Sequence, residues 1–592
     1  MKRITLLFFS LLAVTFFVNL NCTEKKGSMP SSYIDQESPK GMIFLQHHNT
    51  RFREGLAQHN LLDNTGYRLH NTGLKKHKFG DQWANSPELA VAKESGQFYY
   101  IDRISGGMPF QSLDGIEEIA NKLKDDPHFL GFQVHEWGNS PIHDYHRINR
   151  LLLDKGLHLD QSHFSAFEGR TETPYFSAGD YSVYKKLYEP LHSLADIERY
   201  LERYFKQIIK RTAGQVMSVT GYAQLYHAAF RLGAKNVMPE IGNQVPLTAL
   251  QIAFARGAAR QYEKQFGVYY EPWGGSPFGG YCALDFSPWF PDTEQLQNVM
   301  YDFNVGQKYG SSRSLQRRLL FYSWLAGATY WGEEWGAENY FSNWRDYPLT
   351  EYGKIIKEFL AVSTRFSQPQ PVVPAALIMP PGTFGVDIRY IAGKKNTLYQ
   401  IAPPDSFHIQ LSAFAADILA ANQPKQKGGD AGNLTPSPWI SSFDVLSAEA
   451  STELLQNYKF LVYFNKEQAD KSPLSSECVQ VFRGANGDSD NYIQMLDKLL
   501  PYRVQGNVGT AHARSDGDYL LGIFNNLGIT KTAAGEVADP NAGQTATIQG
   551  HCENVRFLVG SEFAAQRKAD SIELNIPAGE VVLLSFPKAG AN

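Results

Sequence analysis

Two hydrophobic periodicities take turns along this chain. Short apolar runs that end on polar groups occur at MIFLQHH (42–48), YRLHNTG (67–73), QFYYIDRISGG (97–107), FLGFQVHEWGN (129–139), QVMSVTGY (215–222), KNVMPEIG (235–242), FGVYYEPWGG (266–275) and ATYWGEEWG (328–336). Between most of them lie stretches with apolar residues at helical spacing, namely GIEEIANKLKDD, LADIERYLERYFKQIIKR, LTALQIAFARGAARQYEK and SLQRRLLFYSWLAGA. Eight strands separated by helices predict a (β/α)8 TIM barrel over 41–368, with its site at the C-terminal ends of the strands. A doubly wound open sheet is the competing architecture, because strand limits read from one sequence shift easily.

Past the barrel the pattern changes. After SQPQPVVP, the runs AALIMP, FDVLSAEA and YKFLVYFN alternate with helical stretches and predict a smaller α/β domain over 371–500. DYLLGIFNN and SIELNIPAGEVVLLSF then alternate at strand period with turn residues between them, which predicts a C-terminal antiparallel β domain over 501–592. NQPKQKGGDAGNLTP (422–436) reads as a surface loop.

The first residues read as a targeting segment. Lys2 and Arg3 precede ITLLFFSLLAVTFFV, an apolar run that suits an export signal and is short for a membrane span. The run ends in NLNC, so Cys22 is the expected lipidation site, with a lipoprotein-type signal over 1–22 and a tether over 23–40. That predicts an exported, periplasmic or cell-surface lipoprotein of a Gram-negative bacterium, held to the membrane by its lipid. Simple cleavage without a lipid is the alternative.

Composition narrows the chemistry. A chain of 592 residues with 43% apolar and 20% charged residues is a folded protein of several domains. A formal net charge of -4 gives no footprint for nucleic acid. Only Cys282, Cys478 and Cys552 follow Cys22, which is neither a disulfide framework nor a metal knuckle, and no cofactor or metal is expected. Aromatic residues reach 13%, and flat amphipathic rings stack well on sugars.

The carboxylates then come into focus. Glu136 ends the fourth strand, Glu240 the sixth, Glu271 the seventh, and Glu333 with Glu334 the eighth. One glutamate at a strand end is ordinarily solvated or caps the next helix, but four of eight strands ending this way beside Trp or Gly converge on one mouth. Trp137, Trp273, Trp331 and Trp335 would form apolar walls there, and Arg103 of the third strand and His135 would join the sugar-binding groups. Aromatic walls with two carboxylates are what glycosidic hydrolysis needs, one acid to protonate the leaving oxygen and one anion to attack the anomeric carbon. Which of the five glutamates act is open on composition alone. His47, His48 and His70 are further candidate donors around a sugar, with packing as the alternative role.

GFQVHEWGNS (131–140) resembles the strand-four signature of the clan of retaining barrel glycosidases, most closely that of the family 42 beta-galactosidases. There an Asn-Glu pair supplies the acid/base, which the resemblance places at Glu136. In that family a helix ending in Arg-Gly leads into the nucleophile strand; ARGAARQYEKQFGVYYEPWGG is similar and places the nucleophile at Glu271. RRLLFYSWLAGATYWGEEWG resembles the family's strand eight, where an aromatic and a polar residue line the sugar pocket. The resemblance also implies a flavodoxin-like middle domain that mediates homo-oligomerisation. Position agrees with Glu271, since strands four and seven lie on different sides of the mouth of a closed eight-stranded barrel, and Pro272 biases the preceding residue toward an extended conformation. One departure is that His135 stands where the clan has Asn. The aromatic-rich stretch 157–190 reads as a specificity loop. The expected activity is retaining exo-hydrolysis of terminal sugars from oligo- or polysaccharides. The alternatives are a non-catalytic sugar-binding lipoprotein on the same scaffold, and an inverting hydrolase or lyase using the same carboxylates.

Overall fold

The computed structural model of the chain describes residues 40–587 apart from 48–49, 70–85, 107–114, 139–190, 224, 243–246, 272–310, 334–339, 343–344, 385–401, 418–436, 438, 440, 483–487 and 533–534. Eight parallel strands close into a barrel: β1 (Ile43–His47), β2 (Thr65–Leu69), β3 (Tyr99–Gly106), β4 (Phe129–His135), β5 (Val216–Thr220), β6 (Asn236–Gly242), β7 (Val268–Glu271) and β8 (Tyr330–Glu333). β8 pairs back onto β1 through Phe44↔Trp331, so no edge is left and the open sheet is excluded. Each strand overlaps one of the eight apolar runs, and all but β2, which starts at Thr65 ahead of the run 67–73, lie within theirs.

The helices around the barrel are α1 (Thr50–Gln58), α2 (Pro87–Glu94), α3 (Ile116–Leu123), α4 (Leu194–Arg211), α5 (Leu225–Arg231), α6 (Thr248–Gln261), α7 (Arg313–Leu325) and α8 (Glu351–Ser363). α4 shows why the sequence folds this way. Ser193 and Asp196 form a capping box at its start, satisfying backbone donors that a helix leaves orphaned. Ile197, Tyr200, Leu201, Tyr204, Phe205 and Ile208 then recur at helical spacing and are buried against the barrel.

Strand alternation sorts side chains between two cores. Ile43, Leu45, Tyr100, Leu130, Met217, Val219, Met238, Tyr269 and Tyr330 fill the barrel interior. Their neighbours, such as Phe44, Phe132, Tyr270 and Trp331, pack outward under the helices. β4 carries one extra residue, because Tyr99 pairs with Phe129 while Tyr100 pairs with Gly131. Gly131 takes φ 140 there, and a Cβ on it would come within 3.0 Å of the Gln215 carbonyl oxygen. The bulge re-aims the rest of the strand, so that beyond Leu130 it is Gln133 and His135 that turn inward.

After the barrel, β9 (Gln370–Pro371) joins a C-terminal sheet by pairing with β15 (Gly509–Ser515). The chain then forms a parallel four-stranded sheet from β10 (Ala375–Ile378), β11 (Phe443–Leu446), β12 (Phe460–Tyr463) and β13 (Val479–Val481), in the spatial order β11-β10-β12-β13. Two larger antiparallel sheets follow, with a two-stranded one of β17 (Ile529–Thr532) and β18 (Gly535–Ala538). One joins β14 (Arg503–Gln505), β19 (Gln544–Gln549), β22 (Ser571–Ile576) and β21 (Ala564–Arg567); the other joins β20 (Arg556–Val559), β23 (Val581–Phe586), β16 (Asp518–Phe524), β15 and β9.

The parallel sheet is locked to the barrel through α6. Arg256 Nε and Arg260 Nη1 donate to the two oxygens of Asp444 on β11, each at 2.6 Å, and the Tyr458 hydroxyl donates to the second at 2.7 Å. Arg256 also donates to the Phe443 carbonyl at 2.8 Å. Gly257 is required beside it, since a Cβ would lie 2.1 Å from the Val445 carbonyl oxygen. The Arg-Gly pair in the helix before β7 is therefore the barrel half of an interdomain clamp.

Candidate active site

The inward positions nearest the C-terminal mouth are polar. Arg68 on β2 donates through Nε and Nη2 to Asp102 Oδ2 on β3, at 3.0 and 2.8 Å, and through Nη1 to the Glu333 carbonyl at 2.7 Å. Both partners are buried. Burial alone would lower the Arg68 pKa, but the Asp102 carboxylate, with Tyr269 and Tyr100 nearby, raises it above the usual value, so the guanidinium stays charged. His135 Nε2 lies 3.8 Å from Glu240 Oε1, and its ring meets Tyr269 edge-on at 5.3 Å. Glu240 and Glu271 are each 2% exposed. In the β6/β7 register Tyr269 is opposite Glu240 and Glu271 is opposite Gly242, which sets Glu271 one inward position further toward the mouth than Tyr269.

Glu136 follows β4 with a backbone φ of 50, a left-handed conformation that costs a non-glycine residue about 1–3 kcal/mol. It is half-buried. One donor atom from each of His135, Glu136 and Glu240 lies within 4.8 Å of the others. An imidazole with two carboxylates is a donor set that suits a divalent cation.

Hydrogen bonds behind the site fix these strand ends against each other. Trp137 N donates to the Val219 carbonyl at 3.2 Å, and Thr220 Oγ1 donates to the Trp137 carbonyl at 2.5 Å. The Tyr226 hydroxyl lies 2.7 Å from both the Thr220 carbonyl and Gln251 Oε1, and Gln251 Nε2 donates to the Glu240 carbonyl at 3.1 Å. A continuous polar path thus links the residue after Glu136 to Glu240.

Several expected pocket residues are placed elsewhere. Trp137 is fully buried and stacks on Phe205 of α4 with ring centroids 3.9 Å apart, so it lies under a helix and forms no sugar wall. Trp331 is likewise an outward residue of β8, stacked on Tyr270 at 5.1 Å. Glu333 shares that outward parity. Its Oε2 accepts from the Tyr340 hydroxyl at 2.7 Å and from Trp331 Nε1 at 3.3 Å, and it is 3% exposed, so it serves the core and not a sugar. Burial pushes its carboxyl up to about 7 against the lowering pull of those bonds and of Arg68. For Trp331 and Glu333 the physical reason is strand parity, since a residue next to an inward one faces out, whereas Trp137 lies beyond β4 and follows the left-handed Glu136.

Cys22, Trp273, Glu334, Trp335, His48 and His70 lie outside the described residues, as do 157–190 and 422–436, and so do the side chains of Arg103 and His47. The sequence reading passed over Arg68, Asp102 and Gln133. A charged residue inside an apolar run, as in YRLH and YIDR, was the available signal.

No family model matches the chain, and no curated protein matches it. Among solved structures it is similar to Gan42B, a family 42 beta-galactosidase, with TM-score 0.46 and 9% identity over 93% of this chain and 100% of that one. The solved structures it resembles here are glycoside hydrolases. The beta-galactosidase of Rahnella sp. R3 gives TM-score 0.40 and 10% identity over 94% and 99% of the two chains. A GH5_18 protein of Bifidobacterium longum subsp. infantis gives 0.36 and 9% over 77% and 100%. The likeness is distant.

Proposed function

We propose that this protein is a retaining, exo-acting glycoside hydrolase of beta-galactosidase type that removes terminal sugars from oligo- or polysaccharides. The observation that carries the reading is the placement of Glu136 and Glu271 at the C-terminal ends of β4 and β7 of one closed barrel. Glu136, half-exposed, is the general acid that gives its proton to the glycosidic oxygen. Glu271, buried, attacks the anomeric carbon and forms a glycosyl ester. Water, deprotonated by Glu136, then displaces Glu271 and returns both residues to their starting states. Arg68, kept charged by Asp102, offsets negative charge in the same interior.

A second reading exchanges one carboxylate. Carboxylate oxygens of Glu136 and Glu240 lie within 4.8 Å of each other, which is near the separation retaining chemistry uses, about 5–5.5 Å between carboxyl groups. Glu240 would then be the nucleophile. A screen of aryl glycosides, with NMR of the first-formed anomer, tests the activity and its stereochemistry. Retention with loss of turnover in Glu271→Gly supports the first assignment, and retained turnover there with loss in Glu240→Gly supports the second.

The same proposal extends to the rest of the chain. The strand order β11-β10-β12-β13 supports a flavodoxin-like doubly wound middle domain, whose role would be self-association. Lipid attachment at Cys22 would hold the enzyme at a membrane facing the periplasm or cell exterior.

A further inference from the structure

The left-handed backbone at Glu136 has to be held by its surroundings, because the residue itself resists it. The next residue supplies the hold. Trp137 is wedged between two aromatic rings that belong to different parts of the chain. Phe205 of α4 stacks on one face at 3.9 Å with the planes 20° apart. Phe384, on the loop that follows β10 of the middle sheet, meets the indole edge-on at 6.3 Å and 87°. Trp137 Nε1 finds no hydrogen-bond partner among the described residues, so packing alone fixes the ring's tilt. Phe384 is itself anchored, being 5% exposed and lying under the Arg231 guanidinium of α5 at 5.6 Å. On the side of the loop formed by Pro380, Pro381, Gly382 and Thr383 lies a cavity of about 210 Å³, shared with His227, Arg231 and Tyr262. Phe384 lines the same cavity, so part of its surroundings is not filled by packing, and its ring meets Trp137 and the Arg231 guanidinium elsewhere.

We propose that Phe384 is a positioning residue for the active site, acting through Trp137 to hold Glu136 in the conformation that presents its carboxyl to the leaving group. The middle domain is thereby a working part of catalysis and not only an assembly module. The inference rests on Glu136 being the acid/base. Its mechanism is geometric. A single covalent step separates the Trp137 backbone from Glu136, and that backbone is already fixed at both ends by Val219 and Thr220. The ring contacts and these two hydrogen bonds together hold the Trp137 backbone, so loss of the Phe384 contact loosens the hold on the φ and ψ of Glu136. Displacements near 1 Å at a reacting group cost about 10²-fold in rate.

The experiment uses the full chain with Phe384→Ala and Phe384→Leu, the second keeping bulk where the first removes the ring. Turnover is compared on phenyl and 2,4-dinitrophenyl beta-galactosides, whose leaving groups do and do not need a proton. The expected result for Phe384→Ala is a loss of about tenfold or more in kcat on the phenyl substrate. On the dinitrophenyl substrate the loss in kcat/KM, which reports only the first step, should be under about twofold, and Phe384→Leu should recover most of the rate. Equal loss on both substrates, or none on either, overturns the proposal. A crystal structure of each variant gives a readout that needs no substrate. Residue 136 leaving positive φ in Phe384→Ala supports the role; an unchanged Glu136, whether or not the Trp137 ring leaves its stack on Phe205, overturns it. Absence of all hydrolysis by the unsubstituted protein would count against the glycosidase reading, while the crystallographic comparison would still decide this one.

Discussion

Replacing Glu333 by Gln separates two roles that a glutamate at a barrel strand end can have. Its carboxyl sits 3% exposed between Tyr340 and Trp331, and burial lifts it from an ordinary 4.5 to about 7. In that surround the charged form is disfavoured by on the order of 3 kcal/mol relative to water. The direction of the pH dependence follows. Between about 4.5 and 7 the folded state keeps a proton that the unfolded chain has lost, so stability falls as pH rises through this window and levels off above it. Gln does not titrate and can still accept from both donors through its single oxygen, though its amide hydrogens need partners. Denaturation midpoints of the two proteins measured from pH 4.5 to 8 should therefore diverge, with Glu333→Gln gaining on the parent by on the order of 2–3 kcal/mol between the ends of the range. KM for an aryl glycoside should stay within about twofold, because an outward residue does not reach a sugar. Parallel stability curves would refute the buried, proton-retaining carboxyl. A KM rise of tenfold with unchanged stability would return Glu333 to the sugar pocket.

Three further outcomes are expected. Glu136→Gln should slow turnover by about 10²–10⁴-fold on substrates with poor leaving groups, and azide should rescue Glu136→Ala; uniform loss without rescue removes the acid/base role. Asp444→Asn leaves Arg256 and Arg260 facing a neutral acceptor in the buried clamp and should cost about 3–5 kcal/mol at neutral pH, read by chemical denaturation. Burial would raise the Asp444 carboxyl, but Arg260 and Arg256 hold it below the usual range, so its contribution is complete above the ordinary carboxylate value and fades as pH falls through the depressed one. A cost independent of acid in that range would contradict the ion-pair account. Cys22→Ser should release the protein from membrane fractions, whereas unchanged fractionation would leave simple cleavage or another anchor.

The barrel was legible because its signals are local. Each strand is an apolar run closed by polar or turn residues, and helices such as α4 carry both a cap and an apolar stripe within one window. The carboxylates at the ends of β4, β6 and β7 were legible for the same reason. What sequence could not give was parity. The bulge at Gly131 decides that His135 turns inward, and the left-handed Glu136 decides where Trp137 goes; both depend on how β4 meets β3 and β5. Trp137, Trp331 and Glu333 were misread as pocket residues on that account. The Arg68–Asp102 pair was missed because its members stand 34 residues apart and meet only when β2 and β3 lie side by side.

The identity of the nucleophile bears on all of this, since it fixes the reaction, its stereochemistry and the roles of β4 and β7 together. Incubation with a 2-deoxy-2-fluoro glycosyl inactivator, followed by proteolysis and mass spectrometry of the labelled peptide, reads it directly. The account predicts a covalent sugar on Glu271, with labelling abolished in Glu271→Gly and retained in Glu333→Gln. A sugar on Glu240 or Glu334 would contradict that assignment, and time-dependent inactivation that leaves no covalent label would contradict retaining chemistry itself.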